Sequence, residues 1–282
     1  MRLIHSIAVL GGDARQRYLA EFLQSAGFTV FSFGVPELPD THDTPLLAAQ
    51  EAQAVCLPVP SVRSGAITGL PSLTPAQLLN ALPEDAVVFG WGLGAFRTLL
   101  QKTGIRSYDY LQNSALTLAN AAVTAEGALL LAMQALPITL QGASVLVTGS
   151  GRIGKSLAMK LHALGAGVTL TSRNPAQRAV IEALGCRFDE TGSYPGGLGQ
   201  YDCVFNTVPA PVFTSGQLAA LRPGCIYIEL ASSPGGIAPD AGKPAHFVSG
   251  SGLPGRTAPK TAARFLLRAM YDSSYLSYQE VL

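Results

Sequence analysis

The sequence predicts an α/β protein made of two doubly wound, Rossmann-like domains with parallel sheets, joined by a long helix, with a cleft between them. Three observations carry this. Short apolar runs alternate with helical patterns along most of the 282 residues, the order of a parallel sheet with crossover helices. Val145 to Gly154 reads VLVTGSGRIG, an apolar run, a glycine-rich turn and then a helix-forming stretch. Leu116 to Leu136 is a long Ala- and Leu-rich helical pattern without proline, placed where it would connect two domains.

Residues 1–118 read as the first domain. Ser6 to Leu10 is its opening strand. The start, MRLIHSIAVLGGD, superficially resembles a secretion signal, but its apolar part is short and runs into Asp13 and Arg15. After Gly11-Gly12-Asp13-Ala14-Arg15-Gln16 a helix runs to about Ser25 and ends at Gly27, with Asp13 expected to cap it, or alternatively to orient Arg15. Phe28 to Phe33, Ala54 to Leu57 and Ala86 to Phe89 are further strands, with Thr74 to Leu82 a capped helix. Pro36 to Pro45 and Pro58 to Gly69 are rich in turn-forming residues and read as surface loops. Residues 119–140 form the connecting helix.

Residues 141–256 form the dinucleotide-binding domain. Its strands are Ala143 to Thr148, Gly167 to Thr171, Asp202 to Thr207 and Gly224 to Leu230, and Lys155 to Leu164 is a helix closed by Gly165. Residues 257–282 then complete the first domain: Ala263, Leu266, Leu267 and Met270 mark an amphipathic helix expected to return there.

Composition narrows the function. Hydrophobic residues make up 48% and charged residues 13%, which suits buried sheets covered by helices. A net charge of +1 argues against a nucleic-acid groove or a polybasic membrane surface. No apolar run approaches the ~20 residues that span a bilayer, and the longest, Ala128 to Met133, is expected inside an amphipathic helix. Cys56, Cys186, Cys203 and Cys225 show no CxxC spacing, and His5, His42, His162 and His246 are scattered. A reducing cytoplasm is expected, with no disulfide framework and no metal site.

Gly149, Ser150, Gly151, Arg152, Ile153 and Gly154 form a GxGxxG turn. Its first glycine permits the turn, the second lets backbone approach a pyrophosphate, and the third lets helix pack on strand. The next strand ends in Ser172-Arg173-Asn174, and no carboxylate follows before Glu182. A ribose-binding acid is therefore missing where an NAD site places one, whereas Arg173 with two small donors suits a 2′-phosphate. NADP is the expected cofactor, with NAD possible and a solvated loop arginine the alternative. Asn206, Thr207, Val208 and Pro209 end a strand and are expected to line the ribose–nicotinamide region.

Several blocks along the chain resemble the dipicolinate synthase A family. They are GGDARQ (Gly11 to Gln16), NAAVTAEGA (Asn120 to Ala128), GSGRIG, FNTVPA (Phe205 to Ala210), ELASSPGG (Glu229 to Gly236) and LPGRTAPKTA (Leu253 to Ala262). Three positions depart from the family pattern. Gln112-Asn113-Ser114 stands where an acidic, arginine-containing stretch is expected, Val123 replaces a proline, and Gly192 to Gln200 is glycine-rich.

The resemblance implies an NAD(P)-dependent oxidoreductase of sporulating bacteria, cytoplasmic in the mother cell, on a branch of the lysine pathway. It would oxidise dihydrodipicolinate, derived from 4-hydroxytetrahydrodipicolinate, to dipicolinate. It implies a flavoprotein-like partner, dipicolinate synthase B, and a homo-oligomer is expected. A dicarboxylate needs paired cations or helix N-termini. The substrate-binding candidates are accordingly Arg15, Gln16, Thr124, Glu126, Ser232, Arg256 and Lys260. Arg15 and Arg256 would clamp one carboxylate each from opposite walls of the cleft, and Glu126 is either solvated or pairs with one of them. Each basic residue is alternatively a solvated surface group, and no residue reads plainly as the proton acceptor. Two other functions stay open: an NADP-dependent dehydrogenase of another 2-hydroxy or amino acid, and a non-catalytic protein that binds nucleotide or carries an intermediate.

Overall fold

The computed structural model describes residues 4–194 and 196–277. The chain forms two compact units, Met1–Asn120 with Pro254–Leu282, and Ala121–Leu253.

In the first unit the elements run β1 (Ser6–Leu10), α1 (Ala14–Ser25), β2 (Thr29–Phe33), α2 (Pro45–Glu51), β3 (Ala54–Cys56), β4 (Val62–Arg63), β5 (Ala66–Ile67), α3 (Pro75–Ala81), β6 (Val87–Gly90), α4 (Ala95–Lys102) and β7 (Arg106–Asp109). The long helix α5 (Ser114–Ala135) starts in this unit and continues into the second. The main sheet has the order β2-β1-β3-β6-β7, and all its pairs are parallel. Alternate residues of β1 enter different cores: Ile7 and Val9 pack with Leu19 and Leu23 of α1, and Ala8 and Leu10 with Ala48, Leu78 and Leu100. Burial on both faces is why β1 reads as a continuous apolar run.

The second unit follows with β8 (Ser144–Thr148), α6 (Arg152–Ala163), β9 (Gly167–Ser172), α7 (Arg178–Ala183), β10 (Arg187–Glu190), β11 (Cys203–Asn206), α8 (Ser215–Ala219), β12 (Ile226–Glu229) and β13 (Phe247–Ser249). Its parallel sheet has the order β10-β9-β8-β11-β12-β13, the doubly wound arrangement of dinucleotide-binding domains. Val145 and Val147 face Ala125, Ala128 and Ala132 of α5 and Leu157 of α6, whereas Leu146 faces Phe213 and Tyr227. The chain then returns to the first unit as α9 (Leu253–Thr257) and α10 (Pro259–Asp272). Ala263, Leu266, Ala269 and Met270 of α10 pack into the same core as Leu19 and Leu23 of α1.

The structure adds elements that the sequence pattern did not announce. β7, β10 and β13 are edge strands, and RSYD, RFDE and FVS lack the apolar run of a central strand because one side of each stays open. The Pro58 to Gly69 segment contains the β4–β5 hairpin, and α2 begins at Pro45 behind the Thr44 cap. Helix α5 also corrects an expectation. Its 22 residues, with a mean hydropathy of 1.5 in the most apolar window, are long and apolar enough to cross a membrane, and 56% of that window is buried inside the protein. Further alanines and leucines lie on the N-terminal side of Glu126, and the helix is apolar around most of its circumference rather than along one stripe.

Candidate functional site

The strand order of the second unit reverses beside β8, whose C-terminal end meets those of β9 and β11. Ligands of doubly wound sheets bind at such a reversal, and the glycine turn lies there. Gly149 has φ +91°, and a Cβ on it would stand 2.7 Å from Thr207 Oγ1 and 2.8 Å from Val208 Cγ2. A Cβ on Gly154 would strike the Gly149 carbonyl oxygen, so the helix packs on the turn only because Gly154 lacks a side chain. Gly151 differs: a Cβ there would meet nothing within 4 Å. Gly151 caps α6 without a side-chain hydrogen bond, and Arg152 beside it is exposed. The first turn of α6 therefore offers backbone N–H groups to open space, an arrangement that fits a pyrophosphate.

The turn is braced from both sides. Thr207 Oγ1 donates to Thr148 O at 2.7 Å and reaches Gly149 O at 3.3 Å, while Gly149 N donates to Thr171 Oγ1 at 3.3 Å. At the end of β9, Ser172 is buried and its Oγ accepts from Asn174 N at 3.1 Å, and Asn174 Oδ1 accepts from Ala176 N at 3.0 Å. Both side chains are thus engaged in the local turn, and Arg173 between them is exposed.

A carboxylate nevertheless stands close by. Glu190 on β10 is in register with Ser172, and Asp189 with Thr171. A cavity of about 350 Å³ is lined by Ser172, Arg178, Phe188, Asp189, Glu190 and Ser193 among others. The Arg178 guanidinium lies 4.3 Å from the Phe188 ring centroid. Scanning along β9 for an acid misses Glu190, because strand pairing supplies it.

Asn206 changes role. It is fully buried, and its amide bonds Thr148 Oγ1 at 2.5 Å, the Val208 backbone and Glu229 Oε1 at 2.7 Å. It braces the turn at Val208 from behind instead of lining an open surface. Val208 is also buried, whereas Pro209 is exposed and Thr207 half-buried. Glu229, overlooked inside the ELASSPGG block, accepts four hydrogen bonds at the end of β12.

The substrate-side candidates divide between the units. At the end of β1, Asp13 caps α1 in a capping box with Gln16, and its carboxylate also binds the Arg15 guanidinium, with Arg15 Nη2 2.7 Å from Asp13 Oδ2. Arg15 is 4% exposed and donates to Val59 O at 2.7 Å. Gln16 is fully buried, and its Nε2 has no hydrogen-bond partner. Gly255 packs so closely on Asp13 that a Cβ would strike the carboxylate. Arg15 and Arg256 accordingly belong to the same unit, and a clamp from two opposite walls does not describe them. Arg256 and Lys260 are exposed, the latter with its ammonium 6.0 Å from the Tyr18 ring centroid.

In the second unit, Thr124 is buried and Ser232 exposed. Glu126 is exposed and pairs with Lys160 at 3.1 Å, not with Arg15 or Arg256. His246 is exposed just before β13, at the end of the sheet opposite the glycine turn. Among the described residues no group of His, Cys, Asp and Glu is arranged to hold a metal. All four cysteines are free and buried.

Both units have known relatives. Residues 6–111 match the N-terminal domain of dipicolinate synthase A, and residues 117–233 match the NAD binding domain of D-isomer specific 2-hydroxyacid dehydrogenases. Dipicolinate synthase A of Bacillus subtilis (strain 168) is 28% identical over 280 residues, covering 94% of each chain. The chain resembles dipicolinate synthase A. The crystal structure of that protein from Bacillus halodurans superimposes with a TM-score of 0.83 at 28% identity, covering 96% of this chain and 98% of the other. For the protein from Bacillus subtilis the TM-score is 0.76 at 26% identity, with 97% of each chain covered. The second unit thus carries the nicotinamide-dinucleotide domain of an oxidoreductase.

Proposed function

We propose that this protein oxidises dihydrodipicolinate, derived from 4-hydroxytetrahydrodipicolinate, to dipicolinate with NADP, in the cytoplasm of a sporulating cell. The observation that carries the reading is the pairing of two domains along one chain. The first has a dipicolinate synthase A match and the second an NAD-binding match. The same resemblance supports dipicolinate synthase B as a partner, and a homo-oligomer.

The bound dinucleotide would supply the hydride acceptor. The protein's own task is orientation, which lowers a barrier by several kcal/mol when two flat reactants are held in register. Gly149, Ser150, Gly151, Arg152, Ile153 and Gly154 hold the pyrophosphate against the α6 N-terminus. Thr207 and Pro209 flank the ribose and nicotinamide. Arg173 meets the 2′-phosphate, since the side chains of Ser172 and Asn174 are engaged in their own turn. Arg256 and Lys260 are the exposed cations for the substrate carboxylates. Arg15 and Gln16 shape the floor beneath the end of β1. No side chain is assigned as proton acceptor, and aromatisation of the ring drives the step forward.

The deciding experiment is the absorbance change at 340 nm when purified protein receives NADP and freshly made 4-hydroxytetrahydrodipicolinate, with and without dipicolinate synthase B. Dipicolinate formed in step with NADPH is the expected result. Absence of turnover under both conditions overturns the assignment.

A further inference from the structure

We infer that Glu229 is the positioning residue for the nicotinamide end of the dinucleotide site, holding the loops after β11 and β12 in the arrangement they present to the nicotinamide. The inference rests on the dinucleotide reading of the glycine turn, but not on which acid is oxidised.

Glu229 ends β12 opposite Asn206 on β11, and Asn206 lies opposite Thr148 on β8. Three neighbouring strand ends are therefore joined through side chains. Oε1 of Glu229 accepts from Asn206 Nδ2 at 2.7 Å and Ala231 N at 3.0 Å. Oε2 accepts from Gly236 N at 2.9 Å and the Tyr227 hydroxyl at 3.2 Å. Asn206 Oδ1 passes the connection on, accepting from Val208 N at 3.1 Å and Thr148 Oγ1 at 2.5 Å. One carboxylate thus pins both ends of the Ala231–Gly236 loop and, through Asn206, the turn at Val208 and the threonine preceding Gly149.

The surroundings are shaped to this carboxylate. A Cβ on Gly236 would strike the Asn206 amide, and one on Gly235, where φ is +83°, would lie 3.1 Å from Glu229 Oε2. Burial, reinforced by the Glu229 carboxylate, pushes the Tyr227 hydroxyl well above its usual range, so it remains a donor. Four donors converging on two oxygens require a group that only accepts, which an ionised carboxylate is. Glutamine cannot replace it. Each carboxylate oxygen receives one backbone N–H, from Ala231 or from Gly236. Whichever way the amide turned, its NH2 would face a backbone donor that cannot reverse roles.

The test compares full-length wild type, Glu229→Gln and Tyr227→Phe. Calorimetry measures affinity for the dinucleotide that the wild type binds, NADP or NAD. It also measures affinity for the fragment lacking nicotinamide, 2′-phospho-ADP-ribose or ADP-ribose. In Glu229→Gln the fragment should bind within about twofold of wild type, while the extra affinity contributed by the nicotinamide half falls about tenfold or more. Tyr227→Phe, which removes one of the four donors, should show the same pattern more weakly, and it carries the test if Glu229→Gln does not fold. Equal weakening of dinucleotide and fragment, or no change in either, overturns the positioning role alone. A wild type that binds neither dinucleotide overturns the dinucleotide reading and the inference with it.

Discussion

At the scale of single residues, each of the three turn glycines meets a different constraint. Gly154 is closed by the Gly149 carbonyl, whereas Gly151 faces open space. Gly151→Val should therefore fold normally, with an unchanged melting temperature, yet lose dinucleotide binding in calorimetry, because its side chain would occupy the pyrophosphate's approach. Arg173→Ala should raise the Michaelis constant for NADP about tenfold or more and leave that for NAD nearly unchanged, the loss of one charge-assisted phosphate contact. Steady-state kinetics with both cofactors checks this, and equal effects on the two sink the 2′-phosphate assignment. Arg15 carries a different expectation from an exposed clamp residue. Its guanidinium joins Asp13 to Val59 O inside the first unit. Arg15→Ala should lower unfolding free energy by about 1–3 kcal/mol, measured in denaturant, by leaving partly buried acceptors unmatched. Gly11 to Gln16 was legible as a motif, but the direction in which Arg15 spends its hydrogen bonds was not.

At the scale of elements, pattern and cap chemistry located most of what positions the site. The apolar strands β1, β8, β11 and β12 are central in their sheets or next to central strands, so their residues announce burial on both faces. The capping residues Thr74 and Asp13 mark helix starts that the structure retains. The polar edge strands escaped because periodicity signals burial, and an edge strand is buried on fewer sides. Helix α10 shows an apolar stripe at work: Leu266 is 3% exposed in a core shared with α1. Leu266→Ala should destabilise the protein by about 2–5 kcal/mol, transfer and cavity terms together, while leaving the dinucleotide affinity of the second unit unchanged. Thermal melting with and without cofactor separates the two effects.

At the scale of the whole molecule, the cysteines report on both cores at once. Cys56 and Cys203 are fully buried, and Cys186 and Cys225 nearly so. Burial raises all four thiols above their usual range, Cys225 to about 11. A thiolate is the reactive form, so a chromogenic disulfide reagent at pH 8 should label the native protein far more slowly than an exposed thiol. All four should react in denaturant. Rapid labelling of one thiol in the native state would show that its unit opens locally.

What the sequence determined by itself was local or repetitive: the alternation of strands and helices, the glycine turn at Gly149 to Gly154, the cap at Asp13, and the family blocks. Such features follow from sterics and burial periodicity within a few residues, so they can be read along the chain. Tertiary structure decided which polar groups meet. Glu190 reaches the end of β9 only through strand register, Asn206 bonds a threonine 58 positions earlier, and Glu229 gathers donors from the neighbouring strand, its own strand and the loop that follows it. A hydrogen bond needs a partner at about 3 Å and in line. Only the packed sheet brings residues so distant in sequence within that range.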